Sequence, residues 1–173
     1  MKRVAVTGLG AVTPIGNDAP STWRAAVEGR SGIDWIRSFD VDGLPVRVAA
    51  EVKDFDPTQV ASSKEVRKLE RNVLLSLGAA REAVQDAGLN GFEPMRVGIV
   101  FGTAIGGVNG ILEQEEVRRD RGPERVSPNF LPNVLVDSAS GQLARSRSGS
   151  RGRTTRSSLP ARPARTRSAR RPS

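Results

Sequence analysis

The last 29 residues limit most sharply what this chain can fold into. From Arg145 to Ser173 there are ten Arg, seven Ser, three each of Pro, Ala and Thr, two Gly and one Leu, with no acid, Lys or aromatic residue. A segment with ten positive charges and a single large apolar side chain cannot bury enough surface to offset its ordering entropy, so disorder is expected there. A foldable body is left over residues 1–144. The net charge of +8 over 173 residues would advertise a polyanion partner if it covered one folded surface. Removing the ten tail arginines leaves 17 basic against 19 acidic side chains, a body of net charge −2 that holds all seven Phe and Trp residues.

The chain has no Cys and no His. That excludes a disulfide framework, a thiolate metal site, a cysteine nucleophile and the commonest general base. No apolar run approaches the ~18 residues of a membrane span, and Met1-Lys2-Arg3 leads directly into an apolar strand pattern rather than a signal sequence. A cytoplasmic protein with no membrane partner is the expectation.

Strand and helix patterns alternate along the body, which predicts an α/β fold. Residues 3–9 (R-V-A-V-T-G-L) read as a buried strand running into a glycine turn. Asn17 and Asp18 are candidate caps for a helix over roughly 19–28, and Val46–Val52 is a weaker strand ended by Phe55-Asp56-Pro57. From Ser62 to Gly88 apolar residues recur at Val66, Leu69, Val73, Leu77, Ala80, Val84 and Ala87, which predicts one long helix. Its other face, with Leu74, Leu75, Ala79 and Ala83, is also apolar, so cover on two sides is expected. Arg96–Phe101 reads as a buried strand, and Val108–Asp120 as a helix with a charged, solvated face.

Gly8-Leu-Gly10 after a strand invites a dinucleotide-site reading, but Thr13 stands at the third glycine position and no acid-tipped strand follows about 20 residues on. A structural turn is the better account. Gly102, Gly106 and Gly107 could form an anion nest at a helix N-terminus, serve close packing or let a ligand chain pass the backbone, and spacing alone leaves these open. Asp40, Asp42, Asp54 and Asp56 lack the spacing of a calcium loop and read as turn residues. No catalytic constellation, cofactor site or metal site is visible.

Four blocks in order carry a resemblance. They are Val4-Ala-Val-Thr-Gly-Leu-Gly-Ala-Val-Thr-Pro-Ile-Gly-Asn17, Val46 to Pro57 with Glu51-Val-Lys-Asp-Phe-Asp-Pro57, Ala79-Ala-Arg-Glu-Ala-Val-Gln-Asp-Ala-Gly88, and Val97-Gly-Ile-Val-Phe-Gly-Thr-Ala-Ile-Gly-Gly107. With Val126-Ser-Pro-Asn-Phe-Leu-Pro132 and Ala139-Ser-Gly-Gln-Leu-Ala144, they resemble the beta-ketoacyl synthase family, in particular its 3-oxoacyl-[acyl-carrier-protein] synthase II members. The resemblance covers 1–144. Within it, Asn129 replaces a usual aromatic, and Leu69-Glu-Arg-Asn72 stands where Met-Asp-Arg-Phe is more usual.

The resemblance implies a thiolase-like α/β fold, here an incomplete N-terminal half with apolar faces left bare, and a homodimer in the intact protein. It implies decarboxylative Claisen condensation with malonyl-[acyl-carrier-protein], in fatty-acid or polyketide synthesis, and acyl carrier protein as partner. By the same resemblance, Ile105 would line the acyl pocket and Phe130 lie near it, although both could equally be plain core. The family holds the acyl group on a Cys at a helix N-terminus and uses two His for decarboxylation and enolate stabilisation. None of the three exists in this chain, so it is expected to be inactive.

The tail also reads in another frame. If each tail codon begins on the second base of an original codon, Ser146, Ser148, Ser150, Ser157, Ser158 and Ser168, taken as TCN, all place T in the second position, which encodes only large apolar residues. With free bases chosen to suit, residues 145–173 read back as A-I-S-L-G-I-T-G-P-N-Y-A-V-V-S-A-C-A-T-G-T-H-A-I-G-E-A-A-E, which resembles the family's nucleophile segment. The Cys codon would straddle Pro160 and Ala161. A frameshift after Ala144 is thus the expectation; the alternative is a genuine basic arm that binds nucleic acid through phosphate charge, without sequence preference.

Overall fold

A computed structural model describes residues 3–89, 91, 93, 96–146 and 153–156. Helix α1 (Ala19–Val27) starts where the Asp18 side chain accepts the Ser21 N–H at 2.6 Å, with Pro20 in the first turn. A short hairpin follows in which β1 (Asp34–Trp35) pairs antiparallel with β2 (Val48–Ala49), Asp34 opposite Ala49 and Trp35 opposite Val48. Only these two residues of the expected Val46–Val52 strand take part.

The long helix expected from Ser62 to Gly88 is two helices. Ser62 and Glu65 form a reciprocal capping box that opens α2 (Ser63–Val66), but this ends after one turn. Helix α3 (Arg71–Asp86) begins after Glu70, whose backbone is extended (φ −63°, ψ 150°). The apolar periodicity runs across the break because Leu69, within it, and α3 face one core: Val73, Leu77 and Ala139 are buried, with Val60, Leu69, Phe101 and Leu143 packed against them. Val73, Leu74 and Leu77 are buried on α3, while Leu75, Ala79 and Ala83 are half-buried, so the second apolar face is only partly covered.

Strand β3 (Gly98–Phe101) lies within the expected Arg96–Phe101 span and leads through a glycine loop into α4 (Val108–Arg121), whose Glu113, Glu116, Arg118, Arg119 and Arg121 are exposed as the charge pattern predicts. Helices α5 (Phe130–Val134) and α6 (Ser138–Ser146) complete the body, with α6 packing on α3. Strand β4 (Arg153–Arg156) pairs in parallel with β3, Gly98 opposite Arg153 and Phe101 opposite Arg156. Disorder from residue 145 onward is therefore corrected at two places: α6 continues through Ser146, and residues 153–156 form a strand. A parallel ladder is made by backbone groups, so the open edge of β3 can pair with a sequence whose side chains give no strand signal. The rest of the tail, residues 147–152 and 157–173, lies outside the described residues.

The expected first strand is also corrected. Residues 3–9 belong to no ladder among the described residues, with Val4 94% and Val6 80% exposed. What holds the end of this segment is α3. A Cβ on Gly8 would collide with the backbone of Ala83 and Ala87, and one on Gly10 with Ala79 and Ala83. Backbone thus lies directly on a stripe of alanines spaced four apart. The segment's amides are taken by α3 carboxylates: Leu9 N–H donates to Asp86 Oδ2 and Ala11 N–H to Glu82 Oε2, both at 2.8 Å. The other Glu82 oxygen accepts the Ala19 N–H at 2.7 Å, which ties the first turn of α1 to the same helix.

Exposed apolar side chains such as Trp23, Val4, Val6 and Val100 show the incompleteness the sequence implies: one layer of an α/β fold with faces uncovered. Gly10→Ala should lower stability by about 1–3 kcal/mol through overpacking on α3. Gly141→Ala, inside α6 where an added Cβ meets nothing within 4 Å, should raise it by about 0.5–1 kcal/mol. Thermal melting of the two variants checks the contrast.

Candidate functional site

The loop from Gly102 to Gly107 joins β3 to α4 and carries Ile105, which is 62% exposed. Gly106 adopts φ +93°, conformational space that glycine enters without penalty, and an added Cβ there would collide with the Val134 carbonyl oxygen. Gly107 N–H donates to that same oxygen at 3.3 Å. The loop therefore abuts the end of α5, and Phe130, half-buried, is the first residue of that helix. The structure places the loop of Ile105 beside the helix of Phe130.

The glycines at the start of α4 make room for Glu70. A Cβ built on Gly107 would lie 2.6 Å from Glu70 Cγ, and one on Gly110 would collide with Glu70 Oε1. The Glu70 carboxyl accepts the Gly110 backbone N–H, yet burial pushes its pKa above the usual carboxylate range and the nearby Glu113 adds to the rise. At Gly106 and Gly107 the structure shows close packing: the Val134 carbonyl and the Glu70 side chain take the space an added Cβ would need. Sequence reading missed Glu70; its only signal was Gly107 and Gly110, three apart, facing a carboxylate that interrupts an apolar period.

The Gly8-Leu-Gly10 pair packs against α3 and forms no turn, which corrects the structural-turn reading, and the close contact with Ala79, Ala83 and Ala87 leaves no cradle for a phosphate between them. The four aspartates act in turns. Asp40 accepts the Asp42 N–H at 3.0 Å, and Asp56 caps a 3₁₀ turn over Pro57–Gln59 through the Thr58 N–H at 2.9 Å, with its pKa held low by the Thr58 hydroxyl and amide. Among the described residues no group of three or more His, Cys, Asp or Glu could hold a metal ion, and no helix is long and apolar enough to cross a membrane.

A cleft of about 480 Å³ lies between α1, α3 and the 3₁₀ turn, lined among others by Asn17, Asp18, Phe55, Arg81 and Glu82. Its polar groups are engaged in holding the fold. Asn17 donates to the Lys53 carbonyl at 2.8 Å, Arg81 to the Gln59 carbonyl, Asp18 caps α1, and Glu82 holds two amides. Ile105 and Phe130 are not among its lining residues.

These features define a class: a partial α/β fold in which a glycine loop after a sheet strand is braced by helices. The sequence profile of the beta-ketoacyl synthase N-terminal domain matches residues 1–156. The 3-oxoacyl-[acyl-carrier-protein] synthase 2 of Coxiella burnetii is 39% identical over 145 residues, covering 83% of this chain. Among solved structures, the ishigamide ketosynthase/chain length factor matches with a TM-score of 0.80 at 29% identity, over 90% of this chain and 39% of that one. A type II polyketide ketosynthase solved with its acyl carrier protein shares the fold, with a TM-score of 0.65 at 22% identity over 84% of this chain and 38% of that one. The chain belongs to the beta-ketoacyl synthase family. It spans about 35% of the length of the curated relatives it matches.

Asn72, which stands where the family more usually has Phe, is half-buried, and its Oδ1 is buried with no hydrogen-bond partner among the described residues. A buried acceptor without a donor costs about 1–3 kcal/mol. Asn72→Leu should therefore raise stability by about 1 kcal/mol, measured as a higher denaturation midpoint with unchanged slope.

Proposed function

We propose that this chain is the N-terminal portion of a condensing enzyme that, when intact, elongates acyl chains by decarboxylative Claisen condensation with malonyl-[acyl-carrier-protein], and that the chain itself is inactive. The observation that carries the proposal is the family match over residues 1–156 in a sequence with no Cys and no His. The part present supplies a sheet strand, a glycine loop and supporting helices; the groups that hold the acyl chain and promote decarboxylation are missing. Relatives named 3-oxoacyl-[acyl-carrier-protein] synthase 2 favour fatty-acid synthesis, and the fold shared with polyketide ketosynthases keeps that substrate class within reach.

In the intact enzyme Ile105 would line the acyl pocket and Phe130 lie near it, acyl carrier protein would deliver both substrates, and the protein would work in the cytoplasm as a homodimer. The exposure of Ile105 and the contact of its loop with α5 support that placement, since a pocket wall must present apolar surface to a substrate.

The arginine-rich segment is, in this proposal, the same gene read out of frame after Ala144. The body ahead of it is 144 residues long, and the relatives align over 144 or 145 residues. Restoring one base after the Ala144 codon and expressing the continuing frame should yield a product that contains Cys and condenses acyl and malonyl carrier-protein substrates, while the present chain shows no turnover. Turnover by the present chain, or a restored product without Cys, would overturn the proposal.

A further inference from the structure

Glu70 occupies a joint that the proposed function leaves unused. Its extended backbone caps α3 while its side chain crosses to the first turn of α4, filling volume that exists only because residues 107 and 110 are glycine. Behind that turn, the Gly107 N–H and the Val134 carbonyl fix the loop to α5, and Val134 Cγ1 would lie 3.1 Å from a Cβ on Gly110. Three elements therefore meet at one carboxyl group.

The charged groups around it are unbalanced. From α4, Glu113 faces it with like charge. Helix α5 (Phe-Leu-Pro-Asn-Val) contributes no charged residue. The neighbouring Arg71 is turned away and donates to the Val52 carbonyl at 2.8 Å. Among the described residues, no cation acts on Glu70 to offset its half-buried negative charge.

We propose that Glu70 is a proton-operated latch: neutral, it locks the start of α4 and the Gly102–Gly107 loop against α3, and ionised, it loosens that joint. The inference rests on packing and charge at Glu70, independent of whether Ile105 lines an acyl pocket. The sign follows from linkage. A carboxyl held above its ordinary range in the folded protein stabilises most at pH below its unfolded value, and that contribution is lost as pH rises through the folded value.

Hydrogen exchange of residues 102–110 in the full chain, corrected for intrinsic pH dependence and followed from about pH 4 to 8, tests the latch. Exchange should accelerate with pH in the wild type and not in Glu70→Gln, whose neutral amide keeps the shape and the acceptor for Gly110. The melting temperature of Glu70→Gln relative to wild type should rise across the same range. Glu113→Gln, at an exposed position, leaves the wedge in place and should move the onset of faster exchange to lower pH, because it removes the like charge that pushes the Glu70 carboxyl upward. Exchange that is independent of pH in the wild type, identical pH profiles for wild type and Glu70→Gln, or an onset in Glu113→Gln that stays in place or moves to higher pH would each overturn the latch.

Discussion

The close contact of the N-terminal segment with α3 is the constraint on which the rest of this structure depends. Gly8 and Gly10 rest on Ala79, Ala83 and Ala87, and Glu82 and Asp86 on the same helix take the amides of Leu9, Ala11 and Ala19. Without side chains at 8 and 10 the backbone approaches closely enough for those carboxylates to reach it. These hydrogen bonds anchor the end of a segment, residues 3–9, that joins no ladder among the described residues. One helix thereby positions the first segment, the start of α1 and, through Val73 and Leu77, the core shared with α6.

The opposite end of α3 is organised by the same device, small residues on one element admitting a group from another. At Gly107 and Gly110 the admitted group is the Glu70 side chain, and it holds the start of α4 and the loop that carries Ile105. The two glycine clusters that could have suggested phosphate binding are thus both occupied by the protein itself. Packing of this kind suits a layer whose remaining faces, with Val4, Val6 and Val100 exposed, need further protein to cover them.

Much of the element order was legible in the sequence. The Asp18 cap, the strand around Gly98–Phe101 and the charged α4 appear where periodicity and capping place them. The break at Glu70 was not legible, because Leu69 and Val73 continue the apolar period on both sides of it. The first strand was misread because a β-branched apolar run reports strand propensity and says nothing of whether a partner strand is present. Strand β4 was illegible because backbone pairing, not side-chain pattern, places Arg153–Arg156. Family membership was legible through Val4–Asn17 and Val97–Gly107; the bracing role of Glu70 was not.

The account turns on the claim that a condensing enzyme is interrupted after Ala144, its nucleophile segment hidden in another frame. The nucleotide sequence across the Ala144 codon and downstream tests this most directly. The account predicts a second frame that runs on without a stop, with a TGC codon straddling those of Pro160 and Ala161 and His codons further on. A second frame closed by stop codons, or one without that Cys codon, would contradict it.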